Sequence, residues 1–239
     1  IENKIGKSEK YNHAMKNLAK YLGLNKTDLF IEGYDVSHHA GKYAVASAVK
    51  FSNQGPEKNA YKLYNIDSIY AGNDIGSIKH VLKRRVEKAS QYPLPDIILI
   101  DGGQAQLNAA LSVFKSINSL QPIILSIVKG AKRVRATETI LSKQGIVEIP
   151  INSSSFNLLQ QIRDESHRFA ISSNRKKKNK SVQYSDLDKI PGLGPKRKQT
   201  LLKQFKSLKN IRSATLHEIC MAPGISIKLG KEIAKHLLK

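Results

Sequence analysis

The chain has 239 residues, which is enough for one or two domains with proper hydrophobic cores. Its single cysteine, Cys220, excludes a disulfide framework and a cysteine-rich zinc site, and it indicates a reducing, cytoplasmic setting. No apolar run reaches the roughly 18 residues of a membrane-spanning helix and there is no signal-peptide pattern, so we expect no membrane partner. The chain starts at Ile1 rather than methionine, which favours a fragment of a longer protein.

The formal net charge of +21 is concentrated towards the C-terminus. Residues 175–239 carry 17 lysines and arginines against 4 acidic residues, whereas residues 1–174 carry 23 against 15. This asymmetry favours a polyanionic partner, and nucleic acid is the commonest one. The alternative is a general bias towards lysine, which would raise the lysine content along the whole chain.

The first part of the chain predicts a helix followed by three strands. Apolar residues recur at helical spacing from Ser8, a possible N-cap, to Leu22. Three runs rich in β-forming residues follow, at Phe30–Val36, Tyr43–Phe51 and Ala60–Ile66. The short loops between them predict an antiparallel meander.

An alternation of helices and strands is predicted next. It consists of a helix at Ile75–Ala89 capped by Asn73 or Asp74, a strand at Ile97–Ile100, a helix at Gln104–Phe114 and a strand at Pro122–Val128. The Ile97–Ile100 strand is apolar throughout, as in strands that pair in parallel and are buried on both faces. The predicted fold class is therefore α/β, with a mixed sheet of about five strands in the order βββαβαβ and flanking helices. A hairpin turning at Lys143–Gly145 and a helix at Ser155–Ile171 follow.

A second, smaller domain is predicted beyond the charge-dense segment NRKKKNK, at residues 174–180. Like charges at this density are expected to keep a segment solvated and extended. We therefore predict domains at 1–173 and 183–239, with a basic linker at 174–182. In the second domain the sequence IPGLGPK from Ile190 is repeated 32 residues later as APGISIK from Ala222, each before a helical pattern. Two helix–turn–helix units are expected.

Two of the predicted strands end in an aspartate, Asp35 and Asp101, and Asp101 precedes Gly102 and Gly103. Because parallel neighbours bring their C-terminal ends together, these carboxylates can share a hard divalent cation such as Mg²⁺ or Mn²⁺. Such an ion supports hydrolysis of a phosphodiester. The alternative is that both are ordinary turn or capping residues.

His167 is the third candidate for this site. At about 100° per residue it lies roughly 140° from Ile162, away from the apolar stripe of its predicted helix. It can act as a nitrogen ligand, or as a general acid or base beside the scissile phosphate. A plain surface histidine is the alternative.

The repeated turns are candidate DNA contacts. A Pro-Gly-X-Gly turn that opens a helix presents backbone N–H groups to a phosphate without reading base identity. The candidates are Gly192, Gly194, Lys196, Arg197 and Lys198 in the first copy, Gly224, Ser226 and Lys228 in the second, and Lys129, Lys132, Arg133 and Arg135 in the basic segment KGAKRVR. Because Ser226 replaces Gly194, the second copy is expected to bind less well or mainly to supply packing. A helical interaction bundle and a solvated loop are the respective alternatives.

Several blocks resemble the C-terminal half of the UvrC family, the nuclease subunit of bacterial nucleotide excision repair. They are DVSHHAG from Asp35, LIDGGQAQLNAA from Leu99, VKGAKR from Val128 and IRDESHRFAI from Ile162. The two repeated turns with their helices are similar to the tandem helix-hairpin-helix domain of that family. The resemblance covers nearly the whole chain in the same order.

The resemblance implies a ribonuclease-H-like endonuclease domain followed by a DNA-binding domain, making the 5′ incision at a lesion with Mg²⁺ or Mn²⁺. The catalytic and metal-binding residues it implies are Asp35, Asp101 and His167, with the acidic Asp74 as a fourth residue that also suits a helix cap. The implied partners are lesion-bearing double-stranded DNA and the UvrB–DNA complex. The GIY-YIG nuclease and the UvrB-binding segment of the family are absent from this sequence.

Two other functions remain open from the residues. The chain can be a catalytically silent DNA-binding module whose aspartates are structural. It can also be another ribonuclease-H-like nuclease, similar to endonuclease V or a resolvase, although the tandem hairpins argue against this.

Overall fold

A computed structural model describes the chain at residues 2–37, 45–70, 72–115, 117, 121–128 and 138–237. The predicted contacts Lys129, Lys132, Arg133 and Arg135 lie outside these residues. The chain divides into two compact units, Ile1–Asn174 and Arg175–Lys239. None of the described helices is long and apolar enough to cross a membrane.

The first unit is built on a mixed sheet. Its strands are β1 (Ile31–Ser37), β2 (Val45–Ser52), β3 (Gly55–Pro56), β4 (Lys62–Asn65), β5 (Ile97–Asp101), β6 (Ile123–Val128), β7 (Thr139–Ser142) and β8 (Gly145–Val147). They are ordered β3-β2-β1-β5-β6-β7-β8, and β4 also pairs with β2. Strands β1, β5 and β6 are parallel, whereas the other pairs are antiparallel. The predicted meander, parallel strands and hairpin are confirmed, but the sheet exceeds five strands because β3 and the hairpin extend it.

Helices cover both faces of this sheet. They are α1 (Glu2–Tyr21), α2 (Asp74–Glu87), α3 (Gln104–Phe114) and α4 (Ser154–Asp188). One hydrophobic core lies between the sheet and the helices α1 and α4, and a second lies between the sheet and the helices α2 and α3. Along β5, Ile97 and Leu99 enter the first core while Ile98 and Ile100 enter the second. The strand is thus buried on both faces, as its apolar run predicts.

The segment at 174–182 is helical and not extended, so that expectation is wrong. It forms part of α4, which continues to Asp188. No glycine or proline occurs between Ser154 and Asp188. Lysine and arginine are good helix formers, so a helix already fixed by packing at its first turns can continue through a basic stretch.

The described residues of the second unit form helices joined by short turns. After the end of α4 it contains α5 (Pro195–Phe205), α6 (Leu208–Ser213), α7 (Leu216–Cys220) and α8 (Ile227–Leu237) around a core of their apolar residues. Gly192 and Gly224 have φ of 79° and 81°, and they turn the chain just before α5 and α8. This backbone conformation favours glycine, which explains why the repeat retains it at both positions.

Candidate metal centre

The two strand-end aspartates lie side by side. Strands β1 and β5 pair in parallel, with Gly33 opposite Leu99 and Tyr34 opposite Ile100. The next position on each strand is Asp35 and Asp101. Alternation along a strand puts both carboxylates on the face that carries Gly33 and Leu99, which is the face covered by α1 and α4.

Helix α4 brings His167 to the same edge of the sheet. Its Nδ1 lies 3.3 Å from Oδ2 of Asp35, and the two side chains are 52% and 8% exposed. One ligand atom from each of Asp35, Asp101 and His167 lies within 4.8 Å of the other two. The three residues predicted from sequence to bind a metal therefore form one cluster, with a buried carboxylate at its base and an accessible imidazole.

Gly33 is the reason that α4 approaches β1 so closely. A Cβ built on Gly33 would lie 2.4 Å from Cγ2 of Ile162 and 3.2 Å from Cγ2 of Val49. Ile162 is fully buried in the core beneath α4. Since Gly33 is two residues before Asp35 and Ile162 is five before His167, this contact sets the distance between the two elements of the cluster.

Replacing Gly33 with alanine should destabilise the first unit by about 1–3 kcal/mol, because the added methyl group overlaps a buried branched side chain. Urea denaturation followed by circular dichroism measures this. Gly6→Ala is the control, because nothing lies within 4 Å of a Cβ there and α1 should gain from alanine. Equal stability of the two variants would contradict the close packing.

The backbone that follows Asp101 is held in place from β6 and α3. Gly102 N donates to Ile127 O at 3.4 Å, and Ser126 Oγ donates to Gly102 O. Gly103 N donates to the side-chain oxygen of Gln106 at 3.0 Å, which closes the first turn of α3. The strand end that carries Asp101 is thus fixed on both sides.

Ion pairs surround His167 on α4. Arg168 donates to Glu165 at 2.7 Å and 2.8 Å, and these hydrogen bonds lower the pKa of Glu165. One turn earlier, Arg163 is buried and pairs with Glu138, which also accepts from Gln160 at 2.7 Å. Glu138 immediately precedes β7, so this pair ties the start of β7 to the helix that carries His167.

Asp74 lies outside the cluster of Asp35, Asp101 and His167. It is exposed in the first turn of α2, where an acidic residue stabilises the positive end of the helix dipole. The N-cap is Asn73, whose side chain accepts from Gly76 N at 2.8 Å. This position suits a structural role for Asp74, and its catalytic role stays a prediction.

Most of the DNA contacts predicted in the second unit are exposed. They are Gly192, Gly194, Lys196, Arg197, Gly224, Ser226 and Lys228. Lys198 differs, since it is buried and its ammonium group pairs with Asp188. The Lys198 ammonium group is thus engaged within the second unit, and its role as a phosphate contact stays a prediction.

The two hairpins differ at the start of their second helix. The N-cap of α5 is Gly194, which provides no side-chain acceptor. Before α8, Ser226 Oγ accepts a hydrogen bond from Leu229 N at 3.3 Å. Pro195 opens α5 and has no N–H, so Lys196 and Arg197 carry the first donors of that helix, whereas Ile227 and Lys228 carry them in α8. The two helix starts therefore present similar numbers of N–H donors to an anion.

Comparison with known proteins decides the family. A model of the UvrC RNase H endonuclease domain matches residues 19–171, and a model of a SAM-like tandem helix-hairpin-helix matches residues 184–238. The chain belongs to the UvrC RNase H endonuclease domain family. The predicted fold class, a ribonuclease-H-like α/β domain followed by a helix-hairpin-helix domain, is confirmed.

Relatives of the UvrC family match most of this chain. The UvrABC system protein C of Pseudomonas syringae pv. syringae is 39% identical over 224 residues, which are 92% of this chain and 37% of that protein. The UvrABC system protein C of Pasteurella multocida is 42% identical over 210 residues, 85% of this chain and 34% of that protein. The chain thus spans little more than a third of the length of these relatives.

Solved structures with some likeness to the chain include two of endonuclease V. The catalytic domain of human endonuclease V has a TM-score of 0.36 and 16% identity, covering 64% of this chain and 84% of that one. Ciona intestinalis endonuclease V, in complex with a 24mer DNA containing an inosine followed by a ribo-adenosine, has a TM-score of 0.32 and 14% identity, covering 43% and 46%. Likeness at this level supports no conclusion about this chain.

Proposed function

We propose that this chain is a divalent-metal-dependent DNA endonuclease that makes the 5′ incision at a lesion in nucleotide excision repair. The observation that carries the proposal is the cluster of Asp35, Asp101 and His167, with three donor atoms within 4.8 Å of one another. Membership of the UvrC family supports the endonuclease activity. The basic helix-hairpin-helix unit supports DNA as the substrate.

The donor set of the cluster suits Mg²⁺ or Mn²⁺. Two carboxylates supply the hard oxygen ligands that both ions prefer, and Mn²⁺ also accepts an imidazole nitrogen. A bound ion of this kind lowers the pKa of water and stabilises the charge that develops on a phosphodiester in the transition state. All three residues lie on regular strands or a helix, and a site built on such elements holds its ligands more precisely than one built on loops.

Each residue of the cluster has its own part in the proposed reaction. Asp35, largely buried at the base, and Asp101, on the neighbouring strand, provide the negative charge that holds the cation. His167 is half exposed, so it can reach a substrate phosphate as well as the metal. It serves as a nitrogen ligand, or it transfers a proton to or from the scissile phosphate. Asp74 is proposed as an auxiliary acidic residue.

The second unit is proposed to hold the duplex. The start of α5, with Gly192, Gly194, Lys196 and Arg197, offers exposed N–H groups and two cations to one backbone phosphate. The start of α8 offers a similar arrangement more weakly, because it carries Lys228 alone where α5 carries both Lys196 and Arg197. This mode of binding does not read base identity, as a repair nuclease acting at many sequences requires.

Replacing Lys196 with glutamine should weaken DNA binding roughly fivefold near 0.15 M salt. The reason is that each phosphate contact contributes about −0.9 to the slope of log K against log salt. The slope of log K against log salt should fall by about one. Fluorescence anisotropy with a labelled duplex at several salt concentrations measures both quantities. Lys203→Gln is the matched control, since Lys203 is exposed in the last turn of the same helix. Equal losses in both variants would show that only net charge matters.

The proposed partners follow from the family. We propose that the chain works on lesion-bearing duplex DNA in a complex with UvrB, within a longer protein that contributes the other incision. We also propose a cytoplasmic location, which suits the single, unpaired Cys220.

Incision of a lesion-bearing or bubble duplex, with UvrB supplied, tests the proposed function. We expect a cut on the 5′ side in Mg²⁺ or Mn²⁺ that disappears after chelation and returns when the ion is restored. DNA binding without any cut would favour the catalytically silent module. Preferential cutting of an inosine-bearing duplex, without need of a bubble or lesion, would favour a nuclease similar to endonuclease V.

A further inference from the structure

Ser47 is a fully buried polar residue in the middle of the apolar run of β2. It lies directly opposite Asp35 in the antiparallel pairing of β1 and β2. Its hydroxyl donates a hydrogen bond of 2.8 Å to the carbonyl oxygen of Ser166. Ser166 immediately precedes His167, so this bond joins the neighbours of two residues of the metal cluster.

The hydrogen bond from Ser47 to Ser166 fixes the orientation of α4 as well as its distance from the sheet. Packing of Ile162 on Gly33 sets how close α4 comes to the sheet, but an apolar contact permits some rotation of the helix about its axis. The Ser47 hydroxyl points at one carbonyl of one residue, and a carbonyl oxygen has a second lone pair for it beside the intrahelical bond. Rotation of α4 would break this bond and move His167 relative to Asp35.

Breaking this hydrogen bond would also destabilise the fold. Both Ser47 and Ser166 are buried, and a Ser47 hydroxyl left without a partner would cost about 1–3 kcal/mol, although the Ser166 carbonyl would keep its intrahelical bond. The Ser47 hydroxyl on β2 therefore favours one orientation of α4 about its axis.

We propose that Ser47 is a positioning residue of the metal centre, holding His167 in register with Asp35 through the backbone of α4. The inference rests on the proposed function in that the cluster binds a divalent cation. Groups that orient metal ligands from outside typically change metal affinity by 10-fold to 100-fold when they are removed. Because Ser47 acts through a backbone carbonyl, we place the expected effect at the lower end, about tenfold.

Ser155 provides a matched control on the same helix. It is also fully buried, and its hydroxyl donates to the carbonyl oxygen of Ala14 at 3.0 Å. It lies twelve residues before His167, which is about 18 Å along the helix axis. Ser47→Ala and Ser155→Ala thus remove the same kind of bond, and only one of them is next to the cluster.

Two readouts test the proposal on the intact chain. Isothermal titration with Mn²⁺ gives the metal affinity, and the ring ¹H–¹³C resonance of His167 at one fixed pH, without metal, reports its surroundings. We expect a comparable fall in Tm for both variants. Only Ser47→Ala should weaken Mn²⁺ binding about tenfold and shift the His167 resonance.

The outcomes separate this inference from the proposed function. If Ser47→Ala matches Ser155→Ala in both Mn²⁺ affinity and the His167 resonance, Ser47 has a purely structural role and the inference is wrong. If the wild type fails to bind Mn²⁺, the proposed function fails, and the His167 resonance alone then decides whether Ser47 positions that side chain.

Discussion

Replacing Asp101 with asparagine should lower the rate of incision at least about a thousandfold, which corresponds to roughly 4 kcal/mol in the activation barrier. The side chain keeps its size, but one of two carboxylates in a cluster of three donors is lost. A neutral amide holds Mg²⁺ or Mn²⁺ far less strongly. DNA binding should stay within about twofold of the wild type, because the proposed contacts among the described residues lie in the other unit.

Single-turnover incision of a bubble duplex in Mg²⁺ and in Mn²⁺, with binding measured in parallel, checks this prediction. Asp28→Asn is the control, because Asp28 is exposed and is not in the cluster. It removes the same charge and should cut at the wild-type rate. Undiminished incision by Asp101→Asn would mean that the strand-end aspartates are structural.

The second large effect concerns a buried ion pair on the other face of the sheet. Arg85 on α2 and Glu32 on β1 are 4% and 12% exposed and lie 2.8 Å apart. Tyr34 also donates its hydroxyl to Glu32 at 2.7 Å. Burial lowers the pKa of Arg85, but the hydrogen bonds to Glu32 raise it above its usual value, so the guanidinium stays charged. For Tyr34 burial has the opposite effect, because it raises the pKa of the phenol and keeps the side chain neutral.

Glu32→Gln should destabilise the first unit by about 3–5 kcal/mol, because it leaves the charge of Arg85 buried without its carboxylate. Urea denaturation gives the free energy of unfolding. The control is Glu57→Gln, which breaks an ion pair with Lys50 whose side chains are 34% and 32% exposed. That variant should lose no more than about 1 kcal/mol. Similar losses in the two variants would contradict the importance of burial.

The strands and the cluster were predictable because they depend on local patterns. An unbroken apolar run indicates a strand covered on both faces, and it ends at the carboxylate of Asp101. The position of His167 away from the apolar stripe of its helix sets it apart from core residues. Only the assumption that β1 and β5 are parallel neighbours was needed to bring Asp35 and Asp101 together, and the pairing confirms it.

Charge patterns were harder to interpret. Charge repulsion predicts an extended stretch at 174–182, whereas the helix propensity of lysine and arginine favours the helix that forms there. The cluster of Lys196, Arg197 and Lys198 predicts three DNA contacts, yet the ammonium group of Lys198 pairs with Asp188 ten residues earlier. A sequence gives the number of charges in a segment, whereas the partner of each charge depends on the fold.

Sequence reasoning missed the residues that position the cluster. Gly33 interrupts a strand and Ser47 interrupts an apolar run, and both exceptions are visible in the sequence. Their partners, Ile162 and Ser166, are more than a hundred residues away along the chain. The role of such a residue becomes clear only when the fold brings its partner into contact with it.

The most direct test of the central claim is anomalous X-ray diffraction from crystals of this chain soaked in Mn²⁺. We expect a manganese peak bounded by the carboxylates of Asp35 and Asp101 and the ring of His167. The same crystals grown from Asp101→Asn should lose most of that peak. Manganese bound only elsewhere, or no peak at the edge of β1 and β5 at saturating Mn²⁺, would contradict the assignment of a metal centre to these three residues.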